Sequence, residues 1–387
     1  MPLFIVSALL HFYIGWRIAP SLPGPQWLSG ALAVALSASA ALMPMTLLAR
    51  RIRTQPWSDR AAWAGALAMG WFSSLLVLTL LRDASLLLLT LVSWIAPATT
   101  AVQAMPAAEW SAAAVPLLAV IATAFGFFNA RRVAAVVAVD VPIAGLPAAL
   151  HGFRIAQISD IHIGPTIKRP YLERIVQAVN RLGADVVAVT GDLVDGSVRE
   201  LGAHVAPLAA LSARHGSFFV TGNHEYYSGA SAWVAELRRL GLTVLMNEHR
   251  LLSHGEGTVV LAGVTDYSAH HFEPAHRSDP AAAMMGAPAH AGVRVLLAHQ
   301  PRSAEAAEKA GFDLQLSGHT HGGQFLPWNL FVRMQQPFTA GLHQLRSLWV
   351  YTSRGTGYWG PPKRLGAPSE ITLLRLVTAP ISDMRMA

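Results

Sequence analysis

Two uncharged apolar runs, Trp27 to Ala49 and Ala61 to Leu81, constrain this chain more than any other feature. Each is long enough to cross a hydrocarbon core of about 30 Å at about 1.5 Å per helical residue. Leu3 to Ile18, with His11 and Arg17 near its end, and Ser111 to Phe128 are shorter runs that also read as spans. Ala84 to Ala96 follows an interruption at Arg82-Asp83 and precedes Pro97, so it reads as a continuation of the helix before it, a re-entrant piece or a fifth span. Composition argues against taking these runs as buried helices of a soluble domain. Only 13% of the 387 residues are charged and 53% are hydrophobic, whereas a soluble chain carries roughly one quarter charged residues.

Topology follows from the arginines. Arg50, Arg51, Arg53 and Arg60 lie between the second and third spans, and Arg131-Arg132 follow the last. The positive-inside rule then places both ends in the cytoplasm if four crossings are made, while a fifth would put the second half outside. A cleavable signal peptide is the weaker account of the start, because no basic residue precedes Leu3, the apolar segments continue past any cleavage point, and no twin-arginine signal precedes the first span. The net charge of +7 belongs mostly to this front part. Residues 1–135 hold eight arginines against Asp59, Asp83 and Glu109, and the remainder balances 21 basic with 19 acidic residues. Without a basic stripe in the second half, nucleic acid is not an expected partner.

From about Val133 the pattern changes to short β-branched runs alternating with helix-like stretches. Val133 to Pro142, Arg154 to Ser159, Val186 to Thr190, Ser217 to Thr221, Thr258 to Val264, Val293 to Ala298 and Leu314 to Ser317 read as strands. Tyr171 to Leu182, Ala230 to Leu240 and Ser303 to Lys309 read as helices. Pro142, Gly145 and Pro147 mark a linker near 130–149.

Five clusters follow these strands. They are Ile158-Ser-Asp-Ile-His-Ile-Gly164, Gly191-Asp-Leu-Val-Asp-Gly196, Gly222-Asn-His-Glu225, Ala298-His-Gln300 and Gly318-His-Thr-His-Gly-Gly323. Any one has an ordinary explanation, since an Asp after a strand is commonly a helix cap and an Asn a turn residue. Five in succession, all of oxygen and imidazole ligands with no cysteine in the chain, suit a pair of divalent ions about 3.5–4 Å apart. Strand-end loops are also where distant residues can be held on one rigid edge.

This ordered set resembles the calcineurin-like metallophosphoesterase superfamily, whose Asp-x-His, Gly-Asp-x-x-Asp, Gly-Asn-His-(Asp/Glu), lone His and Gly-His-x-His blocks are met without substitution. The resemblance covers about residues 150–378. It implies an α/β fold, a four-layered α/β/β/α domain, here preceded by a transmembrane helical bundle over 1–130, with 131–149 as linker and first strand and 379–387 as a tail. It implies two divalent metal ions (Mn, Zn or Fe), with Asp160, His162 and His321 on the first, Asp192 bridging, and Asn223, His299 and His319 on the second. His224 is then the group that stabilises or protonates at phosphorus, and Asp195 orients a ligand or His224, with Glu225 in a similar supporting part. Attack by a hydroxide shared between the ions is the implied chemistry. The front end together with Ser353-Arg-Gly-Thr-Gly-Tyr-Trp-Gly-Pro-Pro362 looks like the membrane-associated bacterial subgroup that includes exported phosphoesterases and UDP-2,3-diacylglucosamine pyrophosphatase-like enzymes. That implies a multi-pass protein of the bacterial inner membrane, and the arginine distribution with four crossings favours the cytoplasmic face for its catalytic domain. Its partners would be the lipid bilayer and a phosphorylated, lipid-linked or membrane-proximal substrate.

Competing motifs are weaker. Gly355-Thr-Gly357-Tyr-Trp-Gly360 has the letters of a dinucleotide fingerprint, but Pro361-Pro362 follows where a helix is required. His224-Glu225 does not extend to His-Glu-x-x-His. Trp328, Phe331, Phe338, Tyr358 and Trp359 either line an entrance or pack in the core. The alternative function is a non-hydrolytic membrane sensor or scaffold that keeps the metals for structure. A descendant of that kind is expected to have lost a ligand, and none is lost.

Overall fold

The computed structural model describes residues 2–379 apart from Arg53 and Ala96. The expected tail beyond 379 and Arg53 of the arginine cluster therefore lie outside the described residues. The chain divides into two compact units, one of Met1–Arg131 with Gly360–Leu365, the other of Arg132–Trp359 with Gly366–Ala387.

The first unit contains four helices long and apolar enough to cross a membrane, within Pro2–Ser21, Gln26–Arg51, Trp57–Ile95 and Pro106–Arg131. Trp57–Ile95 is continuous, so the apolar stretch after Arg82-Asp83 extends the third helix and is not a span of its own. The two charges are accommodated without a break. Asp83 accepts from Tyr13 Oη at 2.5 Å and Arg17 Nε at 2.8 Å, while Arg82 donates to the carbonyls of Arg17 and Ala108. A charge among apolar helices is costly unless partnered in this way.

Gly360–Leu365, from far along the chain, belongs to this unit. Lys363 Nζ donates to the Gly70 carbonyl at 3.0 Å and to Ser74 Oγ at 2.5 Å, and the Arg364 amide donates to the Gly126 carbonyl at 2.9 Å. A side chain at position 126 would put its Cβ 2.6 Å from Lys363 Cγ, so the close approach requires glycine there.

The second unit holds two six-stranded sheets. Its strands are β1 (Ala135–Ile143), β2 (Arg154–Ile158), β3 (Val186–Val189), β4 (Ser217–Phe219), β5 (Thr243–Val244), β6 (Glu248–His254), β7 (Gly257–Gly263), β8 (Val293–Leu297), β9 (Leu314–Ser317), β10 (Gly341–Leu345), β11 (Leu348–Thr352) and β12 (Glu370–Thr378). One sheet runs β1-β12-β2-β3-β4-β5 and the other β10-β11-β9-β8-β7-β6. β2 to β5 are parallel neighbours, as are β7, β8, β9 and β11. The parallel strands are buried on both faces: all four residues of Val186–Val189 and of Leu314–Ser317 are inaccessible, which explains the unbroken apolar run of the first, while in the second the buried Gln315 and Ser317 are hydrogen-bonded. Ile155, Val186, Ala188 and Phe218 of one sheet share a buried cluster with Val259, Leu261, Val295, Leu314 and Leu316 of the other. Gln157 of β2 crosses this interface, donating to the Ser317 carbonyl of β9 at 2.9 Å.

The seven strands expected from sequence appear within two residues of their expected ends, and the helices at Arg169–Asn180, Ala230–Arg239 and Ala304–Lys309 likewise. The region read as a linker contains β1, a nine-residue strand paired in parallel with β12. Its Val136 is exposed while Val141 and Ile143 are buried, so only its second half reads as core.

Candidate metal centre

Each cluster leaves the carboxyl end of a central strand. Asp160 follows β2, Asp192 follows β3, Asn223 follows β4, His299 follows β8 and His319 follows β9. The crevice beyond the carboxyl ends of parallel strands is where an open α/β sheet binds its ligands. Backbone hydrogen bonds fasten the first two loops together: the amides of Asp160 and His162 donate to the carbonyls of Gly191 and Asp192, at 3.0 and 3.1 Å.

Turning back this sharply requires unusual backbone. Among the described residues, eight non-glycine residues have positive φ, and five of them are Asp160, His162, Asp192, His319 and His321. A left-handed L-residue costs about 1–2 kcal/mol, and such strain persists where surrounding structure over-determines it for function. Glycine is required beside them for a steric reason. A Cβ at Gly318 would sit 2.1 Å from Asp160 Oδ2, and one at Gly222 would sit 2.2 Å from Asp192 Oδ1.

The side chains converge in three groups whose ligand atoms lie within 4.8 Å of one another: Asp160, His162 and His321; His162, Asp192 and His224; Asp192, His299 and His319. Asp192 is shared between the last two, with Oδ2 3.1 Å from His299 Nε2, 3.9 Å from His162 Nε2 and 4.0 Å from His224 Nε2. His162 Nε2 faces His321 Nε2 at 3.0 Å and His299 Nε2 faces His319 Nδ1 at 3.2 Å. Two imidazole lone pairs aimed at each other are unfavourable unless a proton or a cation lies between them. Asn223 Oδ1 is buried with no hydrogen-bond partner, a costly state for an amide oxygen. An oxygen acceptor without a donor, beside paired imidazoles and a shared carboxylate, fits a divalent cation by its chemistry.

Outer partners fix the ring orientations. His299 Nδ1 donates to the Thr190 carbonyl at 2.7 Å, which leaves Nε2 pointing at Asp192, the arrangement by which metal-ligating histidines are usually held. Asp195 serves two rings at once: its Oδ1 is 3.2 Å from His162 Nδ1 and 2.5 Å from His224 Nδ1. Burial alone would raise the Asp195 acid, but the two imidazoles hold it well below the usual carboxylate range. Burial likewise works against a charged His224, yet the hydrogen bond to Asp195 and the charge of Asp192 prevail and raise it to about 9.

Glu225 proves more structural than its place next to His224 suggests. Its carboxylate accepts the backbone N–H groups of Asp192 at 3.0 Å, Leu193 at 2.8 Å and Gly222 at 2.6 Å, so one buried side chain staples the loops after β3 and β4. Burial and the nearby Asp192 charge push its acid upward, while the backbone N–H donors favour the charged form that accepts them. Glu225→Gln replaces one acceptor oxygen with a donor facing those N–H groups. We expect a loss of about 2–4 kcal/mol in stability, read as a lower melting temperature, together with reduced metal content. An unchanged melting temperature would contradict the stapling role.

Sequence reasoning also missed Gln324 and Tyr227. The Gln324 side chain clasps the Trp359 backbone through two hydrogen bonds of 2.8 Å, and the Tyr227 ring lies edge-on to His224 with centroids 5.1 Å apart. Neither carries a spacing signal. Of the aromatics left undecided, Tyr358 is buried and Phe338 packs against core, while Trp328, Phe331 and Trp359 are exposed.

A two-sheet α/β domain that gathers Asp, Asn and His side chains at its strand ends belongs to the class of metal-dependent phosphoesterase scaffolds. The chain is a member of the calcineurin-like metallophosphoesterase family. The profile of that family, described as calcineurin-like phosphoesterase, matches residues 153–323. An uncharacterised metallophosphoesterase of Aquifex aeolicus is 32% identical over 225 residues, covering 58% of this chain and 84% of that protein. Proteins named "Transmembrane protein with metallophosphoesterase domain" are 40% identical in Danio rerio and 43% in Bos taurus. The similarity covers 68% of this chain and 63% of the length of each of these two relatives.

Proposed function

We propose that this chain is a membrane-anchored phosphohydrolase with a binuclear metal centre, cleaving a phosphoester or pyrophosphate bond of a lipid-linked or membrane-proximal substrate. The observation that carries this reading is the convergence of Asp160, His162, Asp192, His224, His299, His319 and His321 in three overlapping groups, with His224 next in the chain to Asn223, whose buried Oδ1 has no hydrogen-bond partner. Asp160, His162, His321 and Asp192 would hold one ion, and Asp192, Asn223, His299 and His319 the other, manganese, zinc or iron being compatible with this donor set. Two divalent ions, when bound, supply a water acidic enough to lose a proton near neutral pH and positive charge to offset the phosphoryl anion.

The chain's own residues do the rest. Asp195 holds the His224 ring through Nδ1, leaving Nε2 to donate a proton to the departing oxygen. Glu225 keeps the two loops in register, so that His224 and the shared carboxylate stay aligned. Membrane proximity is supported by the four apolar helices and by a strip after the last candidate ligand, where Leu326, Trp328, Leu330, Phe331 and Met334 are exposed beside Arg333. Aromatic bodies at the interface with a cation near headgroup phosphate suit such a strip to a bilayer surface. With four crossings, the arginines at 50, 51, 60, 131 and 132 favour a cytoplasmic catalytic unit.

The test is hydrolysis of bis(p-nitrophenyl) phosphate by the full-length protein in detergent with manganese. Turnover is expected, abolished by chelation and restored by metal. Full metal occupancy without turnover of this or any lipid phosphate would overturn the reading in favour of a non-hydrolytic scaffold.

A further inference from the structure

Catalysis as proposed uses His224 but leaves the aromatic rings around it unexplained. Trp359 lies edge-on to the His224 ring with centroids 5.6 Å apart, and Tyr227 does the same at 5.1 Å. Phe272 extends the wall, 5.5 Å from Tyr227. These three residues are 52%, 58% and 48% exposed, and adjoining exposed aromatics of this kind are a surface that marks binding sites.

They are also held in place. Trp359 is clasped at both its N–H and its carbonyl by the Gln324 amide, and Gln324 lies three residues beyond the candidate ligand His321. Tyr227 sits on the short helix Asn223–Ser228 that also carries Asn223 and His224. Tyr227 thus shares a helix with the site and Trp359 is tied to it through Gln324, while Phe272, on the loop after β7, joins them by packing on Tyr227. Rigid aromatic surfaces lose little conformational entropy when a flat ring stacks on them, whereas a flexible acyl chain gives up freedom at every bond.

We propose that Tyr227, Phe272 and Trp359 form a collar that binds a flat, unsaturated ring on the departing side of the phosphate ester, as in an aryl or nucleobase-bearing group. The proposal rests on the phosphohydrolase reading, because it is the proton delivered by His224 that identifies this side as the departing one. The collar selects the substrate; it takes no part in bond breaking.

Binding to the full-length, manganese-loaded protein in detergent tests this without turnover. Calorimetry compares inorganic phosphate with methylphosphonate, cyclohexylphosphonate and phenylphosphonate. In the parent protein, phenylphosphonate should bind about 10-fold or more tighter than methylphosphonate, since stacking of one ring on an aromatic side chain is worth roughly 1–3 kcal/mol, and cyclohexylphosphonate should fall well short of phenylphosphonate. Trp359→Ala should bring the phenyl-to-methyl ratio close to one, and Trp359→Phe should restore part of it. Tyr227→Ala, at a more exposed position, should also reduce the ratio and serves as the independent variant if Trp359→Ala does not fold. A parent that binds phosphate but gains nothing from the phenyl ring, or gains equally from cyclohexyl, overturns the collar alone. A parent that binds neither phosphate nor any phosphonate overturns the phosphohydrolase reading, and the collar falls with it.

Discussion

Asp192→Asn is expected to lower metal affinity by more than roughly 100-fold, beyond the 10–100-fold typical of losing an outer partner, with turnover falling at least as far. The physical reason is the position of one carboxylate among three imidazoles. Its Oδ2 lies within 4.0 Å of His299, His162 and His224, and its Oδ1 accepts the His224 backbone N–H at 2.9 Å. Burial alone would favour the neutral acid, but these imidazoles hold it well below the usual range, so a full negative charge is kept where two cations would share it. The amide preserves the shape and one acceptor oxygen but removes that charge, leaving cation repulsion without an offset. Elemental analysis after gel filtration, paired with phosphodiester turnover, reads both effects. Metal content equal to that of the parent protein would show that Asp192 does not bridge the ions.

His224→Ala separates a proton donor from a ligand. His224 takes part in one of the three clusters geometrically able to hold a metal, yet its Nδ1 is committed to Asp195 and its Nε2 stays 4.0 Å from Asp192. Both ions should therefore remain while turnover drops roughly 10²–10⁴-fold, the range for a positioned acid. The loss should be larger for alkyl than for nitrophenyl leaving groups, because a good leaving group needs less help from a proton. Metal lost along with activity would make His224 a ligand instead.

The parts of this architecture legible in the sequence are those in which one residue type answers one physical demand. Val186 to Val189 had to be a doubly buried strand because nothing in it tolerates water. The candidate ligands were legible because each of the five strand ends supplies a metal-compatible side chain, three of them (Asp192, Asn223 and His319) directly after a glycine, and Gly222 and Gly318 show why: any Cβ there would land on Asp192 or Asp160. What stayed hidden depends on long-range pairing. β10, with Gly341, His343 and Gln344 among its five residues, has no alternation of its own and is a strand only because β11 pairs with it. The Thr190 carbonyl that orients His299 is backbone, and no side-chain pattern can announce it. Gln324 was silent for a similar reason, since an amide clasping the backbone of Trp359, thirty-five positions away, looks in sequence like any polar residue after a turn.

The six residues Gly360–Leu365 bear on how such a protein is made. They complete a helical unit whose other residues end at Arg131, more than two hundred positions earlier in synthesis. At about 5–20 residues per second, the ribosome delivers them roughly 10–50 s after the last helix has emerged. During that interval the carbonyls of Gly70 and Gly126, later the acceptors for Lys363 and Arg364, lack those partners. The helical unit therefore acquires its last six residues only when the second unit is nearly finished, and a chain that ended between the two would lack the Lys363 and Arg364 donors.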